Sequence, residues 1–165
     1  MTGCIIRSAT TEDAPAIAAI FGHFVLTSTA AFELDPPDAP EIRRRMECVL
    51  QLGLPYLVAE YDNQVVGYAY ANQFRPRPAY RFTVEDSVYV DPAHAGRGIG
   101  RQLLTALIEA STKAGAAQMI AAIGGENPAS IALHAAQGFE HIGVLRAVGF
   151  KFEQWLDVTL MQRPL

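Results

Sequence analysis

The feature that most limits the fold of this chain is a β-strand that runs through a glycine-rich loop into a helix. Residues 83–90 (TVEDSVYV) have the composition of a strand, which Asp91-Pro92 ends because proline cannot continue a ladder. The loop carries glycines at alternating positions, Gly96, Gly98 and Gly100. Beyond it, apolar residues recur at helical spacing: Ile99, Leu103, Leu104, Leu107 and Ile108. Such a backbone offers unpaired N–H groups at a helix N-terminus, which favours a phosphate or pyrophosphate site.

Two common phosphate motifs do not fit this loop. Counted from Gly96, the dinucleotide fingerprint G-x-G-x-x-G and the P-loop G-x-x-x-x-G-K-[ST] each need a glycine at position 101, which is Arg101. A strand-to-helix turn that only needs flexible residues is the alternative interpretation. From the loop alone, both interpretations stay open.

The composition excludes several classes of protein. The 165 residues, half of them apolar, predict one domain over residues 1–165 with a core of its own. A net charge of −4 without a long basic run argues against nucleic-acid binding. Cys4 and Cys48 show no metal-ligand spacing, so we expect no metal site and a reducing compartment. We expect a cytoplasmic protein away from membranes, since the chain shows neither a signal pattern nor an apolar run of spanning length.

Hydrophobic periodicity along the rest of the chain predicts a mixed α/β sheet. The expected order is strand, two helices, three strands, helix, strand, helix and two strands. Asp62-Asn63-Gln64 predicts a hairpin turn, since Asp and Asn tolerate the backbone angles of turns. Leu50 is expected to face the core from the second helix. The last two strands are expected at 140–148 and 155–163, with residues 149–151 as their connection.

Two loops carry candidate substrate residues. Residues 73–82 hold three arginines, two prolines and three aromatic residues. Arginines on a loop stiffened by proline suit bidentate binding of an oxyanion, but a charged surface loop explains them equally well. Phe32, in the polar segment 27–33, is either a core residue or the aromatic wall of a pocket. The residues alone do not separate these interpretations.

Four segments, in this order, resemble the GNAT superfamily of N-acetyltransferases, and within it the phosphinothricin, methionine sulfoximine and methionine sulfone acetyltransferases. They are 80–90 (YRFTVEDSVYV), the loop 96–100, 127–139 (NPASIALHAAQGF) and the tail from 149 (GFK). The resemblance covers essentially the whole chain. It implies the GNAT fold, a mixed, mostly antiparallel sheet of about seven strands with a splayed central pair and about four flanking helices. It also implies a homodimer, which is common among relatives.

The resemblance implies acetyl-CoA as the cosubstrate. The backbone of the glycine loop would hold the pyrophosphate, the strand at 88–90 would pair with the pantetheine arm, and Asn127 would lie on the opposite wall. One departure is Ala95, which stands where the superfamily usually has Gln or Arg. The expected cofactor-binding residues are Val88, Tyr89, Val90, Gly96, Arg97, Gly98, Ile99, Gly100, Arg101 and Asn127.

The resemblance also implies the chemistry. An amine must lose a proton before it attacks the thioester, and Glu85 is the candidate general base. The alternative for Glu85 is an ordinary strand-end carboxylate. A backbone N–H of the strand at 88–90 would stabilise the oxyanion. His134 would protonate the leaving thiolate, polarise the carbonyl or relay the proton of the amine, and its alternative is a histidine packed in the core.

The implied substrate is a small-molecule amine, the α-amine of an L-amino acid analogue with an oxygen-rich side chain, as in a detoxification enzyme. The expected substrate-binding residues are Phe32, Arg75, Arg77, Tyr80, Thr83, Glu85, Asp86 and Ser87. An acetyltransferase for peptide N-termini or polyamines is an alternative, although the arginine-rich loop argues against polyamines. A non-catalytic acyl-CoA-binding module is a further alternative, and the presence of Glu85, His134 and the glycines counts against it.

Overall fold

The computed structural model describes residues 3–165. Met1 and Thr2, at the start of the segment without a signal pattern, lie outside these residues. The described chain forms strands and helices in the predicted order. The strands are β1 (Ile5–Ser8), β2 (Tyr56–Tyr61), β3 (Gln64–Gln73), β4 (Thr83–Val90), β5 (Gln118–Gly124), β6 (Glu140–Lys151) and β7 (Gln154–Pro164). The helices are α1 (Ala14–Thr27), α2 (Ala39–Gln51), α3 (Ile99–Lys113) and α4 (Pro128–Ala136).

The seven strands form one sheet in the order β1-β2-β3-β4-β5-β7-β6. Neighbouring strands are antiparallel except β4 and β5, which are parallel. The β4–β5 ladder contains three residue pairs and ends at Glu85↔Ile120, whereas β3 pairs with β4 as far as Val90. β4 therefore separates from β5 after Glu85, and the expected sheet with a splayed central pair is confirmed.

Apolar layers cover both faces of the sheet. α1 and α2 pack on one face, where Ile17, Val25 and Met46 are almost completely buried. α3 packs on the other face through three fully buried side chains, Leu103, Leu104 and Leu107. Burial of each such side chain stabilises the fold by about 1.5–3 kcal/mol. α4 lies on the α3 side, where Ile131 and Leu133 pack against the same cluster.

Polar side chains cap two of the helices. The Asp38 carboxylate accepts a hydrogen bond of 2.9 Å from the backbone N–H of Glu41 at the start of α2. Asn127 Oδ1 accepts one of 3.1 Å from the N–H of Ser130 at the start of α4. A cap of this kind contributes about 1 kcal/mol. α3 differs, because its N-cap is Gly98 and has no side chain to offer.

The prediction that Leu50 faces the core is wrong. Leu50 is 44% exposed on α2. The buried residues of this helix are Ile42, Met46 and Val49, at the i, i+4 and i+7 positions of one stripe. These three side chains fill the contact with α1 and the sheet, and Leu50 lies at the edge of that stripe.

The two hairpin predictions have different outcomes. The turn after β2 is confirmed, with Asp62 and Asn63 in the left-handed region at φ of 51° and 61°, and Gln64 opens β3. The turn after β6 is not at 149–151, because β6 continues to Lys151 and the turn residues are Phe152 and Glu153. These two also have positive φ, where Gly or Asn is usual, so the residue types did not indicate a turn.

β6 also contains an irregularity that the sequence did not indicate. Three residues of β6 between Leu145 and Gly149 face the single residue Asp157 between Val158 and Leu156 of β7. The Asp157 carboxylate accepts a hydrogen bond of 2.8 Å from the N–H of Ala147 at the top of this bulge. Bulges change the direction of the side chains around them, and after this one Gly149 rejoins the ladder opposite Leu156 of β7.

Two further observations concern membranes and metals. Within residues 3–165, no helix combines the length and the apolar content that crossing a membrane requires. The same residues contain no group of three or more His, Cys, Asp or Glu side chains placed to hold a metal ion.

Candidate active site

A cavity of about 280 Å³ lies where β4 and β5 separate. Eight residues predicted from the sequence line it: Phe32, Glu85, Asp86, Ser87, Val88, Tyr89, Asn127 and His134. Seven others were not predicted as site residues: Ala30, Ala121, Ala122, Ile123, Gly124, Ser130 and Val158. Most of these are small or apolar, and the splay of the sheet, rather than their own chemistry, brings them to the cavity.

β4 presents two different faces at this cavity, because side chains alternate along a strand. The Tyr89 ring lies 5.2 Å from the ring of Phe21 in α1, and Glu85, four residues earlier, shares that face. Asp86 points to the other face, where it contacts His134 of α4. Glu85 and His134 therefore approach the cavity from opposite sides of the strand.

Glu85 is a half-buried carboxylate in the cavity wall. Burial raises its pKa above the usual range, and the neighbouring charge of Asp86 raises it further, while the charge of Arg75 lowers it. The raised pKa of Glu85 is closer to neutral pH, and a general base is most effective when its pKa lies near the working pH. The geometry therefore fits a proton acceptor.

His134 is 4% exposed and bonded through both ring nitrogens. Nε2 lies 2.9 Å from Asp86 Oδ2, and Nδ1 lies 2.7 Å from the carbonyl oxygen of Ser130. The carbonyl only accepts, so Nδ1 donates to it; when the Asp86 carboxylate is ionised, Nε2 donates as well and the ring carries a positive charge. Burial opposes that charge, yet the hydrogen bond to Asp86 and its negative charge outweigh burial and raise the pKa of His134.

Asp86 carries an acceptor that the protein leaves unsatisfied. The residue is 8% exposed, and among residues 3–165 no donor lies within hydrogen-bond distance of its Oδ1 atom. A buried polar atom without a partner costs about 1–3 kcal/mol. Since Asp86 lines the cavity, the wall on the α4 side combines a buried ion pair with an open acceptor position.

The glycine loop lies at the far end of β4, outside the cavity wall. Gly96 and Gly98 both have a φ of 76°, in the left-handed region. Among the described residues, a Cβ at either glycine would meet nothing within 4 Å, so glycine is needed there for the backbone angle. Gly98 leaves the first N–H groups of α3 without a side-chain cap.

These features fit the binding of coenzyme A. The uncapped N–H groups of α3 suit a pyrophosphate, and the edge of β4 beyond Glu85, which is not paired with β5, suits the amides of a pantetheine arm. The Asn127 oxygen caps α4, which leaves its NH₂ group as the donor a ligand would use. Arg97 and Arg101 are exposed beside the loop, and the Arg97 guanidinium lies 5.7 Å from the Tyr61 ring.

The arginine-rich loop contributes no residue to the cavity wall. Four predicted substrate residues lie outside the wall: Arg75, Arg77, Tyr80 and Thr83. The Arg75 guanidinium lies 5.0 Å from the Phe74 ring. Its charge nevertheless lowers the pKa of Glu85, so this arginine is within electrostatic reach of the cavity.

Phe32 lies on the cavity wall with 41% of its surface exposed, so it is not a core residue. Its ring sits between Gly124 at the end of β5 and Gly149 of β6. Gly124-Gly125, at the end of a strand in the sequence, is a signal from which a close approach there could have been inferred.

Comparison with known proteins adds to this geometry. Residues 23–139 match the model of the acetyltransferase (GNAT) family. The chain is 54% identical over 163 residues to the phosphinothricin N-acetyltransferase of Alcaligenes faecalis, covering 98% of this chain and 83% of that protein. It is 41% identical over 160 residues to the L-methionine sulfoximine/L-methionine sulfone acetyltransferase of Salmonella typhimurium, covering 97% and 94%. The crystal structure of a GNAT superfamily phosphinothricin acetyltransferase from Sinorhizobium meliloti in complex with AcCoA matches with a TM-score of 0.96 and 47% identity, covering 100% and 89%.

Proposed function

This chain belongs to the acetyltransferase (GNAT) family, and from that membership we propose that it acetylates the α-amine of a small L-amino acid analogue. The chain is an acetyl-CoA-dependent N-acetyltransferase. The relatives named for phosphinothricin and for methionine sulfoximine or sulfone support an acceptor with an α-amine and an oxygen-rich side chain. Acetylation of such a compound would serve detoxification.

One observation carries this proposal. Glu85, a half-buried carboxylate with a raised pKa, lies on the wall of a cavity that opens where β4 leaves β5. A proton acceptor and an unpaired strand edge therefore occur at one place, as acyl transfer to an amine requires. An ordinary strand-end carboxylate in solvent would have neither the burial nor the neighbouring strand edge.

We propose that Glu85 is the general base. Acetyl-CoA supplies the acetyl group as a thioester, which a neutral amine attacks directly. An amino acid arrives as an ammonium ion, so the Glu85 carboxylate accepts its proton, directly or through one water molecule. We propose that a backbone N–H of the strand at 88–90, on the edge that faces away from β3, stabilises charge on the carbonyl oxygen.

His134 is assigned the acid role among the three that its residue type permits. As an imidazolium it has no lone pair for the proton of the amine, which argues against a relay. Its Nε2 proton lies in the hydrogen bond to Asp86, and we propose that this bond opens as the C–S bond breaks, so that the proton passes to the sulfur, which keeps the electron pair. The neutral ring then keeps its Nδ1–H bond to Ser130.

The two ends of the substrate complex are assigned to different elements. We propose that Gly96, Gly98 and Gly100, with Ile99 and the charges of Arg97 and Arg101, hold the pyrophosphate, while Val88, Tyr89, Val90 and Asn127 hold the pantetheine arm. We propose that Phe32, Asp86 and Ser87 enclose the amino acid, and that Arg75 and Arg77 attract its oxygen-rich end, with Tyr80 and Thr83 at the rim.

We also infer a homodimer that works in the cytoplasm. Six large apolar side chains are exposed on the β6–β7 hairpin: Ile142, Leu145, Val148, Phe150, Phe152 and Trp155. Exposed apolar patches of this kind mark interaction surfaces. Cys4 and Cys48 are both free thiols, which supports a reducing compartment. Analytical ultracentrifugation of the wild type and of Trp155→Ser tests the dimer, and a monomeric wild type would contradict it.

The proposed acceptor is tested by release of free CoA from acetyl-CoA with a panel of amines. The panel contains phosphinothricin, methionine sulfoximine, methionine sulfone, a polyamine and a peptide with a free N-terminus. We expect turnover with the first three. Turnover with the peptide or the polyamine alone would replace the proposed acceptor, and tight CoA binding without turnover of any amine would contradict catalysis by this cavity.

The matched control for Glu85 is Glu109, an exposed carboxylate on α3. Both Glu85→Gln and Glu109→Gln remove one negative charge while they keep the side-chain shape. We expect Glu109→Gln to retain wild-type turnover and Glu85→Gln to lose it, with CoA binding intact in both. Equal turnover in the two variants would exclude Glu85 as the base.

A further inference from the structure

The segment that follows α1 is attached to the sheet by contacts that the proposed chemistry does not use. We call residues 28–32 the strap. Two of its side chains, Ala30 and Phe32, line the cavity. The strap has no regular secondary structure of its own, so its position depends on what holds it.

Lys151 of β6 holds the strap through hydrogen bonds to its backbone. This lysine, the last residue of β6, is 4% exposed. Its Nζ atom donates to the carbonyl oxygen of Ser28 at 2.9 Å and to that of Ala31 at 2.6 Å. A buried ammonium is costly unless it is hydrogen-bonded, and within residues 3–165 no carboxylate forms an ion pair with it. Lys151 is therefore committed to these two carbonyls.

Two glycines fix the ring of Phe32. A Cβ built on Gly124 or on Gly149 would come closer than 3.0 Å to atoms on opposite edges of that ring. Real Cβ atoms do not approach so closely, so both strands must present glycine where the ring enters. Gly125 gives Thr29 the same kind of space. Gly124, Gly125 and Gly149 thus form a slot for the side chains of the strap, and a residue with a Cβ at any of them would fill it.

The bulge in β6 completes the slot. The bulge places Gly149 opposite Leu156. The Asp157 carboxylate stabilises the bulge, because it accepts hydrogen bonds from the N–H of Ala147 and, at 2.7 Å, from Arg146 Nη1. Without the bulge, the register of β6 after Leu145 would shift, and a different residue would face the ring. The slot, the lysine and the bulge act on one aromatic side chain.

We propose that Lys151 is a positioning residue that sets the place of Phe32 and thereby the size of the amino acid side chain the cavity accepts. Lys151 touches no reacting atom. The proposal rests on the proposed function for the identity of the amine, and the strap contacts themselves do not depend on it. Phe32 and Glu85 line the same cavity and the glycine loop does not, so a displaced ring alters the space for the acceptor and leaves the glycine loop untouched.

The test compares Lys151→Met with Lys113→Met. These are the two lysines of the chain, and Lys113 is exposed at the end of α3. Methionine keeps the length of the side chain and removes the donors. We expect Lys151→Met to raise the KM for the amine about tenfold while the KM for acetyl-CoA changes by less than about twofold. We expect Lys113→Met to change neither KM value. Lys151→Arg keeps N–H donors, so its KM for the amine should rise less than that of Lys151→Met.

Hydrogen exchange gives a readout that does not need activity. The amides of residues 28–32 are expected to exchange faster in Lys151→Met than in the wild type and in Lys113→Met. Unchanged exchange would overturn the proposal, as would faster exchange with an unchanged KM for the amine or an equal rise in both KM values. If the wild type acetylates none of the amino acid analogues, the proposed function fails, and the exchange comparison still decides whether Lys151 holds the strap.

A second variant covers the case in which Lys151→Met does not fold. Phe32→Ala removes the ring at an exposed position and leaves Lys151 in place. We expect kcat/KM to shift in favour of amino acids with bulkier side chains, by about tenfold relative to methionine sulfone. An unchanged order of preference would show that the seat of Phe32 does not determine the acceptor.

Discussion

The two sides of β4 bring a ligand to one cavity by different means. On the α3–α4 side, the candidate coenzyme A groups are mostly backbone: uncapped N–H groups behind Gly98 and a strand edge that is not paired with β5. On the α1–α2 side, the candidate acceptor groups are side chains, and one of them, Phe32, lies on a strap held by Lys151 and a pair of glycines. A backbone site tolerates changes of side chain, whereas a site of seated side chains is sensitive to residues far from it in the sequence. The departure at Ala95 illustrates the first case, since the residue type at that position does not alter the N–H groups.

The largest expected effect falls on the α1–α2 side, at Glu85. Glu85→Gln should lower kcat by about 10²- to 10⁴-fold because general base catalysis is lost. In the wild type, kcat/KM should rise with pH through the raised pKa of Glu85, since only the ionised carboxylate accepts a proton. Steady-state kinetics between pH 5 and 9 measure this rise, which is the acidic limb of the pH profile. If the acidic limb persisted in Glu85→Gln, it would belong to another group.

The next effect concerns the buried pair on the α3–α4 side, and it is an effect on stability. Asp86→Asn should lower the free energy of unfolding by about 3–5 kcal/mol because it leaves the His134 charge unpaired. The pKa of His134 is raised in the folded state, so the pair contributes fully below the unfolded pKa of histidine and less as pH rises through the folded value. The loss should therefore be larger at pH 6 than at pH 9. Urea titrations at the two pH values test this, with the exposed Asp38→Asn cap as a comparison whose loss should not share that pH dependence.

A smaller effect is expected at the glycine loop. Gly98→Ala places a Cβ on a residue with a φ of 76°, which strains the N-cap of α3 by about 1 kcal/mol. The KM for acetyl-CoA should rise by about fivefold to tenfold, with the KM for the amine unchanged, which is the opposite split from Lys151→Met. Bisubstrate kinetics measure both KM values in Gly98→Ala and Lys151→Met. If both variants changed the same KM, the proposed difference between the two sides of β4 would be wrong.

The smallest effect is expected from the exposed Arg75, whose charge acts on Glu85 without a direct contact. The charge of Arg75 lowers the pKa of Glu85, so Arg75→Ala should move the acidic limb of the pH profile to higher pH by less than about one unit. The same substitution at the exposed Arg43 of α2 should leave the limb in place. A limb that moves to lower pH would mean that Arg75 does not face Glu85 in solution.

The sequence made the backbone features and several site residues predictable, but not the contacts that hold those side chains in place. Both signals were local: hydrophobic periodicity led to the correct element order, and alternating glycines between a strand and an amphipathic helix led to the loop at Gly98. The Asp86–His134 pair joins residues 48 positions apart, and Lys151 reaches carbonyls more than 100 positions away. No local pattern encodes contacts of that kind.

The errors in the predicted fold have the same origin. The turn at Phe152-Glu153 uses positive φ values without glycine, because the long ladder between β6 and β7 fixes the backbone around it. Leu50 has the residue type of a core position, and only the packing of α1 on α2 decides which apolar residues of that helix are buried. In both cases tertiary contacts, which depend on the whole chain, overrode the local preference of the residue.

The short ladder between β4 and β5 has a thermodynamic consequence for the whole molecule. Three residue pairs connect the part of the sheet made by β1–β4 with the part made by β5–β7. A ligand whose amides pair with the free edge of β4 while it contacts the start of α4 acts as a removable cross-link between these parts. Its binding energy then adds directly to the free energy of unfolding, by about 2.7 kcal/mol when the ligand is present at a hundred times its dissociation constant. Cellular supply of the acyl donor would in this way govern the lifetime of the enzyme as well as its rate.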